Sequence, residues 1–491
     1  KTHMDGLTIQ AVLFENDFPT PHTMGGINMA FAGLGFLARR AGAIFIRRSF
    51  QDNPLYKLVL RQYLAYLIDK RFPLTWSFEG TRSRVGKLMP PRYGMLKYVL
   101  DAMEESSQDH LHIIPVAINY DMINDVKDYA HEESGGIKRP ESLSWFVSYL
   151  KGLKKPLGRI YLDFGEPVIV NKADVQNDRL ALQKIAFKVG VEANRVTPIT
   201  LTALMSMGLL GAAPRAQTME ELRRNMDELR HWAAHRDVKF TSDFEEHNRE
   251  HMHELIDHMV ESDLIRRYDE GPETVYAVGA DQHAEASYYR NTIVHHFVTK
   301  SITELAIMEA THASENGLDA FWKEADRLRD LFKFEFFYAP TDEFHEDVKH
   351  ELAFFDKNWS ESLSTRHGAS NLLKSFTPLT AHATLKPYIE AYRIVADVFA
   401  GVGETETLDV KATVAASFKY GRQAYLQRRI TSKASLGQML FKNGYKVLES
   451  YGVLEPGPGV VEQRKLISKQ LRLLAHSLEQ IRVLAMPHDF D

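Results

Sequence analysis

The chain has 491 residues and no cysteine, which excludes a disulfide scaffold, a thiolate zinc site and a cysteine nucleophile. A length of this order suits roughly two to four domains, and 44% hydrophobic with 25% charged residues is the balance of a globular protein rather than a disordered one. The net charge of −5 hides an asymmetry: residues 1–100 carry 14 Lys and Arg against 6 Asp and Glu, a balance of +8, so the other 391 residues hold −13. A basic front end suits an anionic partner such as a phosphate ester, an anionic lipid or a nucleic acid.

In chain order, residues 43–47 (AIFIR), 74–78 (LTWSF), 111–118 (LHIIPVAI) and 159–164 (RIYLDF) are short and rich in β-branched or aromatic side chains, which predicts strands. The apolar spacing between them predicts helices over 55–68 and 94–103, with faces such as Leu55/Val59/Tyr63 assigned to the core. Strands alternating with helices point to an α/β domain over 1–170, a mixed sheet flanked by helices, with its active residues in the loops at strand ends.

After residue 170 the pattern turns helical, first over 173–189. The longest uncharged stretch, 196–213 (VTPITLTALMSMGLLGAA), contains Pro198, Gly208 and Gly211 and falls just short of a ~20-residue membrane span. It suits a buried helix or one lying in a membrane interface, and no second candidate exists. Thr218-Met-Glu-Glu221 is a capping box that opens a helix with Met219, Leu222, Met226 and Leu229 on one face. Helical spacing continues at 243–260 and 285–311, with a hairpin at 264–278 turning at Glu270-Gly271-Pro272. The expected organisation is therefore a helical connector over 171–260 and a helical C-terminal domain over 261–491. The latter is broken at Ala339-Pro340, Gly401-Val402-Gly403 and Pro456-Gly457-Pro458-Gly459. No signal peptide is visible, and the chain opens without an initiator Met, as a fragment would.

Four segments of the first domain set polar groups beside strand-like runs: His3 and Asp5; Arg47-Arg48 after an apolar run; Phe78-Glu79-Gly80-Thr81-Arg82-Ser83-Arg84 with Lys87 behind it; and the apolar run around Pro115. In the third, Gly80 permits a tight turn and Arg82, Arg84 and Lys87 project from one loop. Arginine suits phosphate because its planar fork donates two parallel charge-assisted hydrogen bonds. EGTRSR alone reads equally well as a solvated basic turn. With Arg47-Arg48 ending another strand, a two-sided anion site is the better reading. Asp5 taken alone reads as a helix cap or a turn residue.

Together, and in this order, the four segments resemble the acyltransferases of glycerolipid synthesis, whose blocks are His-x-x-x-x-Asp, an arginine after an apolar strand, Phe-x-Glu-Gly-x-Arg-Ser-Arg, and an apolar run around proline. The doubled arginine of GAIFIRR is similar to that of the bacterial membrane-bound glycerol-3-phosphate acyltransferases. Gly25-Gly-Ile-Asn28, residues 161–167, and Tyr289-Arg-Asn291 through His296-Phe297-Val298 extend the resemblance over most of the chain. One departure stands out: counting back from Asp5, the family's histidine would immediately precede Lys1, and His3 has the wrong spacing to replace it. The resemblance then implies a chain cut within the motif.

The resemblance implies transfer of a fatty acyl group from a thioester donor, acyl-CoA or acyl carrier protein, to the sn-1 hydroxyl of glycerol 3-phosphate. The missing histidine would be the base and Asp5 would orient it. Arg48, Arg82, Arg84 and Lys87 would anchor the phosphate, Glu79, Gly80 and Ser83 would shape the glycerol site, and Pro115 would shape a strand end near the acyl channel. It implies no metal or redox cofactor, no nucleic-acid partner, and a peripheral or monotopic place on the cytoplasmic face of the cell membrane among its lipids. Alternatives within its reach are a lysophosphatidate or dihydroxyacetone-phosphate acyltransferase, or a silent lipid- or phosphate-binding relative. The histidines from His247 to His258 read as a solvated helix rather than a zinc site.

Overall fold

A computed structural model describes residues 4–26, 34–47, 53–80, 83–137, 157–244, 249–313 and 316–486. The chain forms two compact units, each assembled from three separate segments. The first comprises Lys1–Ser83, Leu88–Asn119 and Ile160–Thr197; the second comprises Arg84–Lys87, Tyr120–Arg159 and Pro198–Asp491. These divisions do not follow the sequence-based boundaries at 170 and 260.

The first unit is α/β. Strand β1 (His22–Gly26) lies between β2 (Ala43–Ile46) and β3 (Leu74–Thr75), and both pairings are parallel, with Gly26 opposite Ile46 and Thr23 opposite Thr75. The helix Pro54–Asp69 connects β2 to β3. Its start is set locally: the Asn53 side chain accepts the Tyr56 N–H at 2.9 Å, and Pro54 occupies a first-turn position where a missing N–H costs nothing. Leu60, Leu64, Leu67 and Ile68 pack on Met24 and Ile46 of the sheet, each such burial contributing roughly 1.5–3 kcal/mol. The face predicted as core is the other one: Leu55, Val59 and Tyr63 are exposed. The helix is apolar on both sides, so periodicity alone cannot choose between them.

The predicted strand over 111–118 is two strands, β4 (His110–Ile113) and β5 (Val116–Tyr120), divided at Ile114-Pro115. Proline has no N–H to donate to a ladder. On one side of the break β4 pairs antiparallel with β7 (Val168–Asn171); on the other β5 pairs with β6 (Ile160–Phe164). The buried Pro115 contributes its carbonyl instead, which accepts the Gly165 N–H at 2.8 Å.

The second unit is mainly helical. The helix His283–His312 is buried along most of its length and packs with Gly317–Leu331, Arg366–Ser375 and Ala381–Ala400. The hairpin is present as β9 (Arg266–Tyr268) and β10 (Val275–Ala277), and β8 (Gln217–Thr218) adds a third strand that the sequence does not announce. Residues 196–213 supply the helix Leu201–Ala212, in which eight residues are buried within a core that includes Leu222, Met226 and Trp232. That helix is therefore interior to the unit, the buried one of the two readings its sequence allows and not the membrane-interface one. No helix among the described residues is long and apolar enough to cross a membrane.

Candidate functional site

Parallel strands send their following loops out at the same end of a sheet, the edge at which open α/β folds bind ligands. The loop after β2 begins with Arg47, and the loop after β3 carries residues 76–83. With β1 between them, the two loops leave strands about 10 Å apart. Arg47 is exposed; its N–H donates to the Tyr56 hydroxyl at 3.3 Å and its guanidinium lies 5.4 Å from the Tyr56 ring centre. Arg48, Thr81, Arg82 and His3 lie outside the described residues.

Asp5 is the first residue of the helix Asp5–Glu15, whose positive N-terminal end favours a carboxylate. At the other end the chain reverses sharply: Asp17 has φ 59° and the Phe18 N–H bonds back to the Leu13 carbonyl at 2.8 Å. The helix then runs alongside the entry to β1, since the Gln10 side chain donates to the Pro21 carbonyl at 2.6 Å and the Thr23 hydroxyl at 3.1 Å. This antiparallel course directs Asp5 toward the carboxyl edge of the sheet, the edge of the two arginine-bearing loops.

Beyond β3 the chain turns at Ser77–Gly80, closed by the Gly80 N–H bonding the Ser77 carbonyl at 3.1 Å. Gly80 has φ +65°, and a Cβ there would lie 2.7 Å from Arg92 Cγ, so both backbone and space call for glycine. Glu79 accepts the Met89 N–H at 2.8 Å, tying the start of the loop to its return. Ser83 is buried. Arg92, which sequence reasoning passed over, is an exposed cation packed beside Gly80.

The end of the third block belongs to the second unit. Arg84 pairs with Glu132. The Val85 carbonyl accepts from Asn291 Nδ2 at 2.7 Å. Asn291 Oδ1 in turn accepts from Arg290 Nη2 at 2.7 Å and from the Tyr388 hydroxyl at 3.2 Å. Gly86, at φ +86°, passes so close to helix His283–His312 that a Cβ would sit 1.9 Å from the Tyr288 carbonyl oxygen. Lys87 is buried and pairs with the buried Glu335, which also accepts from the Tyr392 hydroxyl at 2.8 Å. The expectation that Lys87 reaches for a substrate phosphate thus gives way to an internal ion pair. Asn291 stands in the Tyr-Arg-Asn segment already singled out, whereas nothing local to Glu335 signals its part.

Residues 1–119 match a family model described as acyltransferase, and residues 129–457 match one described as glycerol-3-phosphate acyltransferase C-terminal region. Proteins named "Putative acyltransferase plsB1" from Mycobacterium tuberculosis (strain ATCC 25618 / H37Rv) and Mycobacterium bovis are each 35% identical over 457 residues, covering 91% of this chain and 73% of theirs. A glycerol-3-phosphate acyltransferase of Actinobacillus pleuropneumoniae serotype 5b is 29% identical over 356 residues, 69% of this chain and 42% of that protein.

Proposed function

The chain belongs to the glycerolipid acyltransferase family, and from that premise we propose that it transfers a fatty acyl group from a thioester donor to the sn-1 hydroxyl of glycerol 3-phosphate. The product is lysophosphatidate, the entry compound of phospholipid synthesis. Family likeness supports acylation of glycerol 3-phosphate. The single observation that supports the chemistry is that the loops after the parallel strands β2 and β3 leave the same edge of the sheet, the edge toward which the start of helix Asp5–Glu15 runs.

In this reading the base is the histidine expected immediately before Lys1. It takes the proton of the sn-1 hydroxyl as the oxygen attacks the thioester carbonyl. The new C–O bond forms, the C–S bond breaks, and the proton passes to the departing thiolate. Asp5 holds the imidazole in the productive tautomer and offsets its developing charge. Arg48 and Arg82 anchor the phosphate; Glu79 and Ser83 position the glycerol on the turn that Gly80 permits. Fixing the phosphate converts a bimolecular encounter into an oriented one. Pro115 bounds the acyl channel at its strand break. The enzyme works at the cytoplasmic face of the membrane as a peripheral protein.

The test is acyl transfer by the full-length protein beside an Arg82→Ala variant. Losing one charge-assisted fork, on the order of 1.5–3 kcal/mol, raises KM for glycerol 3-phosphate roughly 10- to 100-fold. No product with any acyl donor or acceptor, from folded protein, would replace the enzyme by a silent lipid- or phosphate-binding relative.

A further inference from the structure

The helix Pro54–Asp69 carries its core residues on one face, yet the opposite face is not polar. Leu55, Leu58, Val59, Tyr63 and Tyr66 are 69, 47, 58, 43 and 53% exposed. Their spacing of three and four residues lines them in one stripe along the helix, continued past its end by the half-exposed Phe72. A helix on the surface of a globular unit ordinarily turns charges outward here. Gln62 and, in the last turn, Asp69 are the polar residues of this stripe. The charges beside its C-terminal end are Lys70 and Arg71, with Lys70 Nζ 5.9 Å from the Tyr66 ring centre. The acids nearby are engaged elsewhere: Asp69 accepts the Ser107 N–H at 2.7 Å, and Glu105 pairs with Arg61 at 2.6 Å.

We propose that this stripe is the surface by which the protein docks on an anionic lipid bilayer, with the leucines, valine and tyrosines entering the interface and the flanking cations meeting lipid phosphates. The combination is that of a helix lying in the plane of a membrane: an apolar face, tyrosines at headgroup depth and a basic margin. The basic balance of residues 1–100 supplies the complementary charge at longer range. Size argues against a second protein as the occupant. A 16-residue helix is about 24 Å long and about 10 Å across, so the stripe offers on the order of 250 Å² against the roughly 800 Å² per partner of a stable interface. A bilayer needs no matching partner surface.

The inference rests on the membrane placement proposed above and names the surface responsible, which is not the apolar segment 196–213. It also connects docking to the candidate site. Tyr56, in the first turn of this helix, holds the Arg47 backbone and lies against its guanidinium, so the docking helix touches the residue that opens the first arginine-bearing loop.

The experiment is co-sedimentation of the full-length protein with phosphatidylglycerol vesicles and with phosphatidylcholine vesicles, beside the variant Leu55→Glu/Val59→Glu/Tyr66→Glu. A control, Leu466→Glu/Leu473→Glu, places two such charges on a comparably exposed helix of the second unit. The expected result is binding to the anionic vesicles that weakens with salt, at least a 10-fold lower partition coefficient for the triple variant, and none for the control. Acylation of glycerol 3-phosphate from a detergent-dispersed donor should proceed at the wild-type rate in all three proteins. Wild-type partition by the triple variant, an equal loss in the control, or no vesicle binding by the wild type would overturn the proposal. So would a wild-type dimer that the triple variant dissociates without changing vesicle binding. Absence of product from the wild type would instead remove the enzymatic reading and leave the vesicle result to be judged alone.

Discussion

Lys87 shows how far a residue's role can lie from its local appearance. Three residues after an arginine pair on a glycine-containing loop, it reads as one more phosphate cation. Its ammonium is instead enclosed with Glu335, beside the Phe336 ring at 5.1 Å, and their sequence separation is 248 residues. Removing one partner of a buried pair leaves an uncompensated charge, so Lys87→Met should destabilise the protein by about 3–5 kcal/mol in urea unfolding. Adding Glu335→Leu should recover most of that loss, because the orphaned carboxylate is gone. A solvated substrate anchor would behave oppositely, with stability unchanged and a raised KM for glycerol 3-phosphate. The turn at Gly80 and the arginine loops were legible because their participants are sequence neighbours. The anchors of Val85, Gly86 and Lys87 were not, since Asn291, Tyr288 and Glu335 come from distant helices.

At the scale of elements, signals confined to one turn survive folding best. The capping box is present as read: the Thr218 hydroxyl accepts the Glu221 N–H at 3.2 Å and Glu221 Oε2 accepts the Thr218 N–H at 2.9 Å. Thr218→Ala should therefore cost about 1 kcal/mol of stability, measured by denaturant midpoint at unchanged slope. Elements made by distant pairing were less visible. Strand β1, His-Thr-Met-Gly-Gly, has no alternating pattern and is a strand because β2 and β3 flank it. Helices apolar on every side were ambiguous in another way. Leu201–Ala212 and Pro54–Asp69 are both apolar enough to suit lipid or core, and only packing separates them. The first is enclosed, whereas the second keeps one apolar face outside.

The response of the whole fold to pH follows from the ionisable groups it encloses. His382, in the helix Ala381–Ala400, is buried, and desolvation with the nearby Lys386 and Arg482 lowers its pKa from the ordinary 6.5 to about 3; Glu479 opposes this weakly. His283 is lowered to about 4 by burial and by Lys386, Arg290 and Lys433. In both cases the unfolded chain takes up a proton near pH 6.5 while the folded chain refuses it until about pH 3 or 4. The stability these groups contribute is therefore present above pH 6.5 and lost as the pH falls through that window. Glu133 has the opposite sign: burial raises its pKa to about 7, so the folded chain holds a proton the unfolded chain has released, and stability falls as pH rises from 4.5 to 7. Because the slopes oppose one another, the total curve does not isolate either group, but a difference between two proteins does. Between pH 7.5 and pH 5, His382 should account for about 2 kcal/mol of lost stability, and His382→Leu should lack that component. Urea unfolding of both proteins at the two pH values checks it: the gap between wild type and variant should close by about that amount on acidification. A gap that stays constant would mean that His382 is as freely protonated in the folded protein as in the unfolded chain, contrary to its enclosure.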